Sequence, residues 1–524
     1  MHYIPAAISL TLLVPISVIA LDIIRRLIRN KWEGKGSPLP PSPTLVPLLR
    51  NLLCLDTGEL WETYTEWQAA FGNLLYARLL QHEIVILNSQ LDAIELLEKR
   101  SQIYSDRPFI ATVEPFGLGC NFSFRPYDNH WRLCRRIFHQ TFRADAALAF
   151  RPMQLRRARQ MIVNVIDDPD AYAFHYSTFS AAVAMSAVYD YEPSPRNDPM
   201  VHIVDGFLQA SLPGMTPKKA LLLKFLPFLL YIPDWLPGSS FKREAKKSHE
   251  WANRMVETPY QYVQKRMGPF VFSPYLFDGI RPHHSYEEIR RIISLRVCDG
   301  SQACVYNRFS RYAAVETTSS SLVVFTLAMV QNPHVWKRAQ AEIDAVLGMD
   351  RLPDFDDRSS LPYVNAVIRE TLRWQPVIPL GVPHATSTSD IYKGFYIPKG
   401  TTIIPNTWAM SRDEVRYPNA EQFIPERFLT AEGTLIDDDP SEFVFGFGRR
   451  LCPGRHTADA SLFSAIATVL ATLEFSPAKD AKDKDIAFEP KYINGITRHP
   501  MTFPCRISPR SHISKASLER VLAR

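Results

Sequence analysis

The chain has no Cys-x-x-Cys pair. Its seven cysteines, Cys54, Cys120, Cys134, Cys298, Cys304, Cys452 and Cys505, are odd in number and scattered. No Cys/His spacing among them suits zinc. They read as thiols of a reducing compartment, mostly buried and inert, with Cys452 to be judged on its neighbours. An excess of one charge is also missing: 60 basic against 54 acidic residues leave only +6. That balance is too diffuse for a nucleic-acid surface. No internal repeat, low-complexity tract, or flavin or nucleotide fingerprint is evident. What is present is ordinary globular composition, 524 residues at 46% hydrophobic and 22% charged, with apolar content for a large core. The 41 prolines cluster in connecting segments.

The N-terminus differs in kind. "YIPAAISLTLLVPISVIAL", Tyr3 to Leu21, runs without a charge, and "DIIRRLIRNK" follows from Asp22 to Lys31. A run of about 18–20 apolar residues can cross a bilayer as a helix, and basic residues close behind it predict a cytosolic flank. The alternative is a cleaved signal peptide. The length of the run and the lack of a small-x-small cleavage site favour an uncleaved anchor. Prolines in "GSPLPPSPTLVPLL", Gly36 to Leu49, then make a stiff strap. The expected division is 1–29 for anchor and basic flank, 30–50 for the strap and 51–524 for a catalytic domain.

Periodicity predicts an α-rich body with a minor β portion and one continuous core. "LLYARLLQHEIVILNS" reads as two strands joined at Gln81-His82. The chain from about Asp128 to Met329 reads as mostly helical, broken at "EPSPRNDP" and around Pro213–Pro217. "LLLKFLPFLLYIPDWLPG", Leu221 to Gly238, is apolar but too proline-broken to span a membrane; it reads as core or as a surface patch that dips into lipid. "DIYKGFYIPKGTTIIPNTWAM", Asp390 to Met410, reads as short strands, and the segment after Cys452 as a long apolar helix.

"FVFGFGRRLCPGRH", Phe443 to His456, surrounds one thiol with arginines and glycines. A thiolate at neutral pH needs donors and positive potential. Arg449 and Arg450 supply charge, and Pro453-Gly454 opens a helix whose N–H groups point back at the sulfur. Gly446 and Gly448 allow a tight turn near something flat. A lone thiolate so placed fits an axial ligand to heme iron; the alternative is a buried structural cysteine.

Phe445, Gly448, Arg450, Cys452 and Gly454 match F-x-x-G-x-R-x-C-x-G, the heme-binding signature of the cytochromes P450. The chain resembles that family over essentially everything after residue 30. The resemblance implies a P450 fold binding heme b, iron-protoporphyrin IX. It implies that Phe445 packs beside the sulfur, that Arg450 meets a propionate and that Cys452 ligates iron. "ETLR" resembles the family's E-x-x-R, with Glu370 and Arg373 joined by Arg427 of "PERF" in a structural triad. "WRLCR" resembles W-x-x-x-R. Its i, i+4 spacing puts Trp131 and Arg135 on one helix face, toward a propionate. His384 of "GVPHAT" falls where relatives place a residue toward the other propionate. "YSDRP", Tyr104 to Pro108, and the strap are similar to membrane-bound eukaryotic members, although the strap departs from the usual pattern at Ser42 and at Arg50. The segment from Val382 to Pro418 looks like fungal P450s of natural-product pathways, including the O-methylsterigmatocystin oxidoreductase-like group.

By the same resemblance "AAVETT" supplies the acid–alcohol pair Glu316 and Thr317 for proton delivery, with Ala314 where glycine is usual. Just upstream, "SLRVCDGSQACVYNRFSR", Ser294 to Arg311, has no clean helical period and reads as an insertion. "HSYEEIRRI" before it opens with a capping box at Ser285 and Glu288. The implied function is a heme-thiolate monooxygenase on the cytosolic face of the endoplasmic reticulum membrane. Its partners would be NADPH-cytochrome P450 reductase, dioxygen, membrane lipid and an apolar terpenoid, polyketide or aromatic substrate. Phe116, Leu118, Val377 to Val382 and Gly495-Ile496 would face that substrate. Two alternatives stay open, a P450-fold isomerase or dehydratase and a heme-binding protein impaired by the inserted segment.

Overall fold

The computed structural model describes residues 24–25, 28–43, 59–79, 82–119, 121–267, 310–348, 351–511 and 513. Helices dominate and strands are short, the mainly α architecture with a minor β portion that periodicity predicts.

The core is built around two helices. One, α10 (Arg455–Thr472), is buried on every side from Ala460 to Thr472. A helix without a polar face belongs inside. Its polar residues are small, and their hydroxyls give to carbonyls one turn back: Thr468 to Ser464 at 2.6 Å and Thr472 to Thr468 at 2.6 Å. Burial therefore leaves those groups paired. The other, α7 (Ser310–Gln331), is buried from Val315 to Val330 at every position but Thr317. Around them pack α3 (Arg151–Asp167), α4 (Tyr172–Tyr189), α8 (Pro333–Leu347) and α9 (Pro362–Trp374). α5 (Pro199–Ser211) and α6 (Ser240–Met267) pair over a second cluster.

Beside this stands a four-stranded sheet. β1 (Leu74–Leu79) runs antiparallel to β2 (His82–Leu87), with Leu79 opposite His82. His82 is thus the first residue of the second strand rather than part of the turn. β2 pairs in parallel with β4 (Thr402–Pro405), which carries β3 (His384–Ala385) on its other edge. α1 (Leu60–Phe71) buries Tyr64 against the sheet and sets Trp61 beside Trp408, ring centres 6.2 Å apart. Further on, β5 (Leu473–Pro477) pairs with β8 (Cys505–Pro509), and β6 (Tyr492–Asn494) with β7 (Arg498–Pro500) in a hairpin that reaches α7. The break at "EPSPRNDP" is real, and Asp198 ends it by capping α5.

Three expectations need comment. No helix among the described residues is long and apolar enough to cross a membrane. Among those residues this corrects the expected fold, which included a spanning helix, and the single-pass placement in the endoplasmic reticulum membrane that rested on it. The uncharged stretch, residues 3–21, lies outside the described residues. The described flank instead packs on the body: Arg29 pairs with Glu83, and Glu33 accepts from the Tyr396 and Ser389 hydroxyls at 2.8 and 2.7 Å. Those two hydrogen bonds hold the Glu33 carboxyl below its usual range. The segment 221–238 is mostly surface, with Phe228, Tyr231 and Trp235 exposed and Leu223 turned into the second cluster. Residues 294–309 of the expected insertion, the capping box at Ser285 and Glu288, and the side chain of Ala314 lie outside the described set; Ser310 and Arg311 open α7.

Candidate active site

The Phe443–His456 loop is held by its own backbone. The Cys452 N–H gives to the Phe445 carbonyl at 2.9 Å, and Gly454 caps α10. Gly448, at φ +54°, lies so close to the Leu97 carbonyl that a Cβ would stand 2.1 Å from it. The demand at this glycine is backbone contact, not a flat group. Gly446, at φ +81°, is the one that opens onto empty space, its nearest neighbour atom 3.9 Å from a would-be Cβ.

Burial pushes the Cys452 thiol up; the Gly454 N–H, Arg135 and Arg455 act the other way. The cations that favour the anion are therefore Arg135 and Arg455, not Arg449 and Arg450. Arg449 gives to the Tyr127 hydroxyl at 3.0 Å, and Arg450 gives to the Ser105 and Arg125 carbonyls at 2.8 and 2.9 Å.

Above the loop lies a cavity of about 280 Å³. Phe445, Gly446 and Cys452 line one side, and Thr317 lines it from α7. Trp131 and Arg135 reach it from α2 (Asn129–Phe142), whose first turn is fixed by the Asp128 carboxylate accepting from the Trp131 N–H at 2.6 Å. Arg135 gives to the Leu451 carbonyl at 2.5 Å. Val377, Ile378 and Val382 supply apolar wall. Phe116 and Leu118 are not among the lining residues. Both are packed at 0% exposure in the second cluster, Phe116 edge-on to Phe241. Ile496 packs against that same cluster.

Among the described residues, three that line the cavity carry a buried donor without an acceptor, Thr457 through its hydroxyl and two through N–H groups. Arg450 Nη1 and Trp131 Nε1 are buried and unpaired, and the guanidinium lies 4.3 Å from the Trp131 ring centre. A buried unpaired donor costs on the order of 1–3 kcal/mol. An anionic acceptor in the cavity would remove that cost. His384 gives its Nδ1–H to the Tyr104 carbonyl at 2.8 Å, and burial and the nearby Arg107 hold its pKa well below the usual value. A neutral His384 then presents Nε2 as an acceptor. Sequence spacing does not single out Arg107, which sits in "YSDRP". It lines the cavity and gives to the Ser123, Val382 and Pro383 carbonyls at 2.8, 2.7 and 2.7 Å. Its signal was present, but its tertiary partners were not readable.

Glu370 and Arg373 meet in a bidentate pair at 2.7 and 2.8 Å, both fully buried. Arg427 joins Glu370 at 3.3 Å. Glu316 and Thr317, adjacent on α7, diverge: Thr317 lines the cavity, while Glu316 accepts from the Thr497 hydroxyl in the β6–β7 turn.

The family model described as Cytochrome P450 matches residues 40–503. The chain belongs to the cytochrome P450 family. It is 34% identical over 485 residues to cytochrome P450 monooxygenase 176 of Postia placenta, covering 90% of each chain. It is 34% identical to cytochrome P450 monooxygenase COX2 of Coprinopsis cinerea, over 91% of this chain and 90% of that one. It is 35% identical to cytochrome P450 monooxygenase ple1 of Rhodocybe pseudopiperita, over 92% and 91%. The protein is a P450 monooxygenase, and heme is the group this family implies. The residues fit it: a thiol on one wall, unpaired donors at the edge and a bare glycine against open space.

Proposed function

We propose that this protein is a heme-thiolate monooxygenase that oxidises an apolar small molecule of fungal secondary metabolism, a terpenoid, polyketide or aromatic compound. The observation that carries the reading is the single cavity that has Cys452 on one wall, Thr317 on another and Val377, Ile378 and Val382 between. Heme supplies the redox chemistry on dioxygen when bound, fed by electrons from an NADPH-dependent reductase. In this reading Cys452 would be its thiolate ligand. Trp131 and Arg450 would hold a propionate through their unpaired N–H groups, Arg135 supports the loop beside the sulfur, and Phe445 would pack against it. Arg107 and His384, both within electrostatic reach of Arg450, would complete this polar rim. The natural-product branch rests on the character of the 382–418 segment.

Solvent supplies the protons, and side chains on α7 relay them. Thr317 is the half-buried position in an otherwise buried run, and it lines the cavity. The carbonyls beside it are already occupied: Ser319 gives to Val315 and Glu316 at 3.0 Å each, and Ser321 to Thr317 at 2.9 Å. Glu316 carries protons inward and Thr317 holds the water that hands them on.

The test is Thr317→Ala in a strain co-expressing a reductase, with metabolite profiling against candidate scaffolds. The variant should bind heme and substrate as before and still consume NADPH. Peroxide should rise and oxygenated product fall, by about 10²-fold or less, because water replaces part of a missing general acid–base group. Peroxide supplied directly should restore some turnover. Unchanged product per NADPH would overturn the role of Thr317.

A further inference from the structure

Glu316 is 5% exposed and Thr497 is 5% exposed, and the Thr497 Oγ1–H gives to Glu316 Oε1. Neighbours on a helix point about 100° apart, so Glu316 cannot share the cavity-facing direction of Thr317. A buried carboxylate is costly unless it is hydrogen-bonded, and a hydroxyl-to-carboxylate bond is of the stronger, charge-assisted kind.

The donor cannot drift with its acceptor, because the turn that bears it is clamped. Gly495 N–H gives to the Thr497 carbonyl at 3.1 Å, closing the turn. The next residue, Arg498, gives its backbone N–H to the Val377 carbonyl at 2.8 Å and its side chain to Gln375 Oε1. Its guanidinium lies 3.6 Å from the Tyr492 ring centre and 4.6 Å from that of Trp408. Gln375 and Val377 in turn line the cavity. A rigid turn tied to the cavity wall therefore presents one hydroxyl to the acid of α7.

We propose that Thr497 is a positioning residue that fixes the carboxylate of Glu316 for proton delivery to Thr317. The inference rests on the proton role proposed above for Glu316. It adds the C-terminal hairpin, far away in sequence, to the proton route.

The test uses full-length heme-loaded protein. Subtracting the infrared spectrum of Glu316→Gln from that of wild type isolates the Glu316 carboxyl band. Thr497→Val should shift that band, and Thr497→Ser should return it. In reductase-supported turnover, Thr497→Val should raise peroxide per NADPH roughly tenfold or more, the worth of one lost hydrogen bond to a charged group, while the reduced carbon-monoxide spectrum stays as in wild type. In a Glu316→Gln background the same change should add nothing. Should Thr497→Val fail to load heme, Thr497→Ala removes the hydroxyl without the second methyl and is measured in its place. An unmoved band, or an equal rise of peroxide in both backgrounds, overturns the proposal. If Glu316→Gln itself leaves peroxide unchanged, the proton role of Glu316 falls, whatever the band does.

Discussion

Cys452→Ser removes the absorption characteristic of a thiolate-ligated, carbon-monoxide-bound ferrous heme. The expected loss is complete, because no other thiol can take the place of this one among the described residues. The other free cysteines there are Cys134 and Cys505, and neither lines the cavity. Burial pushes the Cys134 thiol up to about 11 and the Cys505 thiol up to about 12, so both are poor sources of thiolate. Cys452 is itself raised by burial, yet it alone has the Gly454 N–H and two guanidinium groups acting to lower it. A ligand must be deprotonated to bind metal, and those three groups are what favours the anion. The polypeptide should persist in the variant, since the loop is closed by backbone bonds such as Cys452 N–H to Phe445 O and not by the side chain. Circular dichroism should match wild type while the thiolate signature is gone. A variant that kept the signature would place the ligand elsewhere and end the reading of this loop.

What the sequence shows of this site depends on how local each contact is. The Cys452 loop is legible because its residues lie within fourteen consecutive positions and satisfy one another through the backbone. Glu370 and Arg373 are legible as a pair because i, i+3 spacing puts them on one face of α9. The supporting cations were misassigned for a physical reason: Arg449 and Arg450 sit in a 3-10 turn, Gly448–Arg450, that aims them at Tyr127, Ser105 and Arg125. The anion is favoured instead by Arg135, from a helix more than three hundred residues earlier in the chain, and by Arg455. The Glu316–Thr497 contact is of the same long-range kind. Apolar content also says little about where a segment lies. The 221–238 stretch is richly apolar and lies mostly on the surface, whereas α10, with its many Ala, Ser and Thr residues, is the buried one.

Arg373→Ala should destabilise the protein by about 3–5 kcal/mol, the range for breaking a buried ion pair from one side. That is a large part of the roughly 5–15 kcal/mol that holds a typical domain folded. The change strands Glu370, which is 0% exposed, with only Arg427 at 3.3 Å and the Ile424 N–H at 2.8 Å left to face it. It also frees two carbonyls, Ser411 and Gln422, that Arg373 holds at 2.8 and 3.1 Å. Those carbonyls and Ile424 belong to the segment that leads into the Cys452 loop. Heme should therefore be lost in denaturant before the helical core unfolds. The two midpoints separate by following the heme absorption and circular dichroism in one titration. Arg373→Lys keeps the charge but not the fork, and should fall between wild type and Arg373→Ala. Combining Arg373→Ala with Glu370→Ala should cost less than the sum of the two single changes, since the second removes the stranded charge. A loss below about 1 kcal/mol in Arg373→Ala, typical of an exposed pair, would mean that water reaches Glu370 and that the triad does not hold the loop.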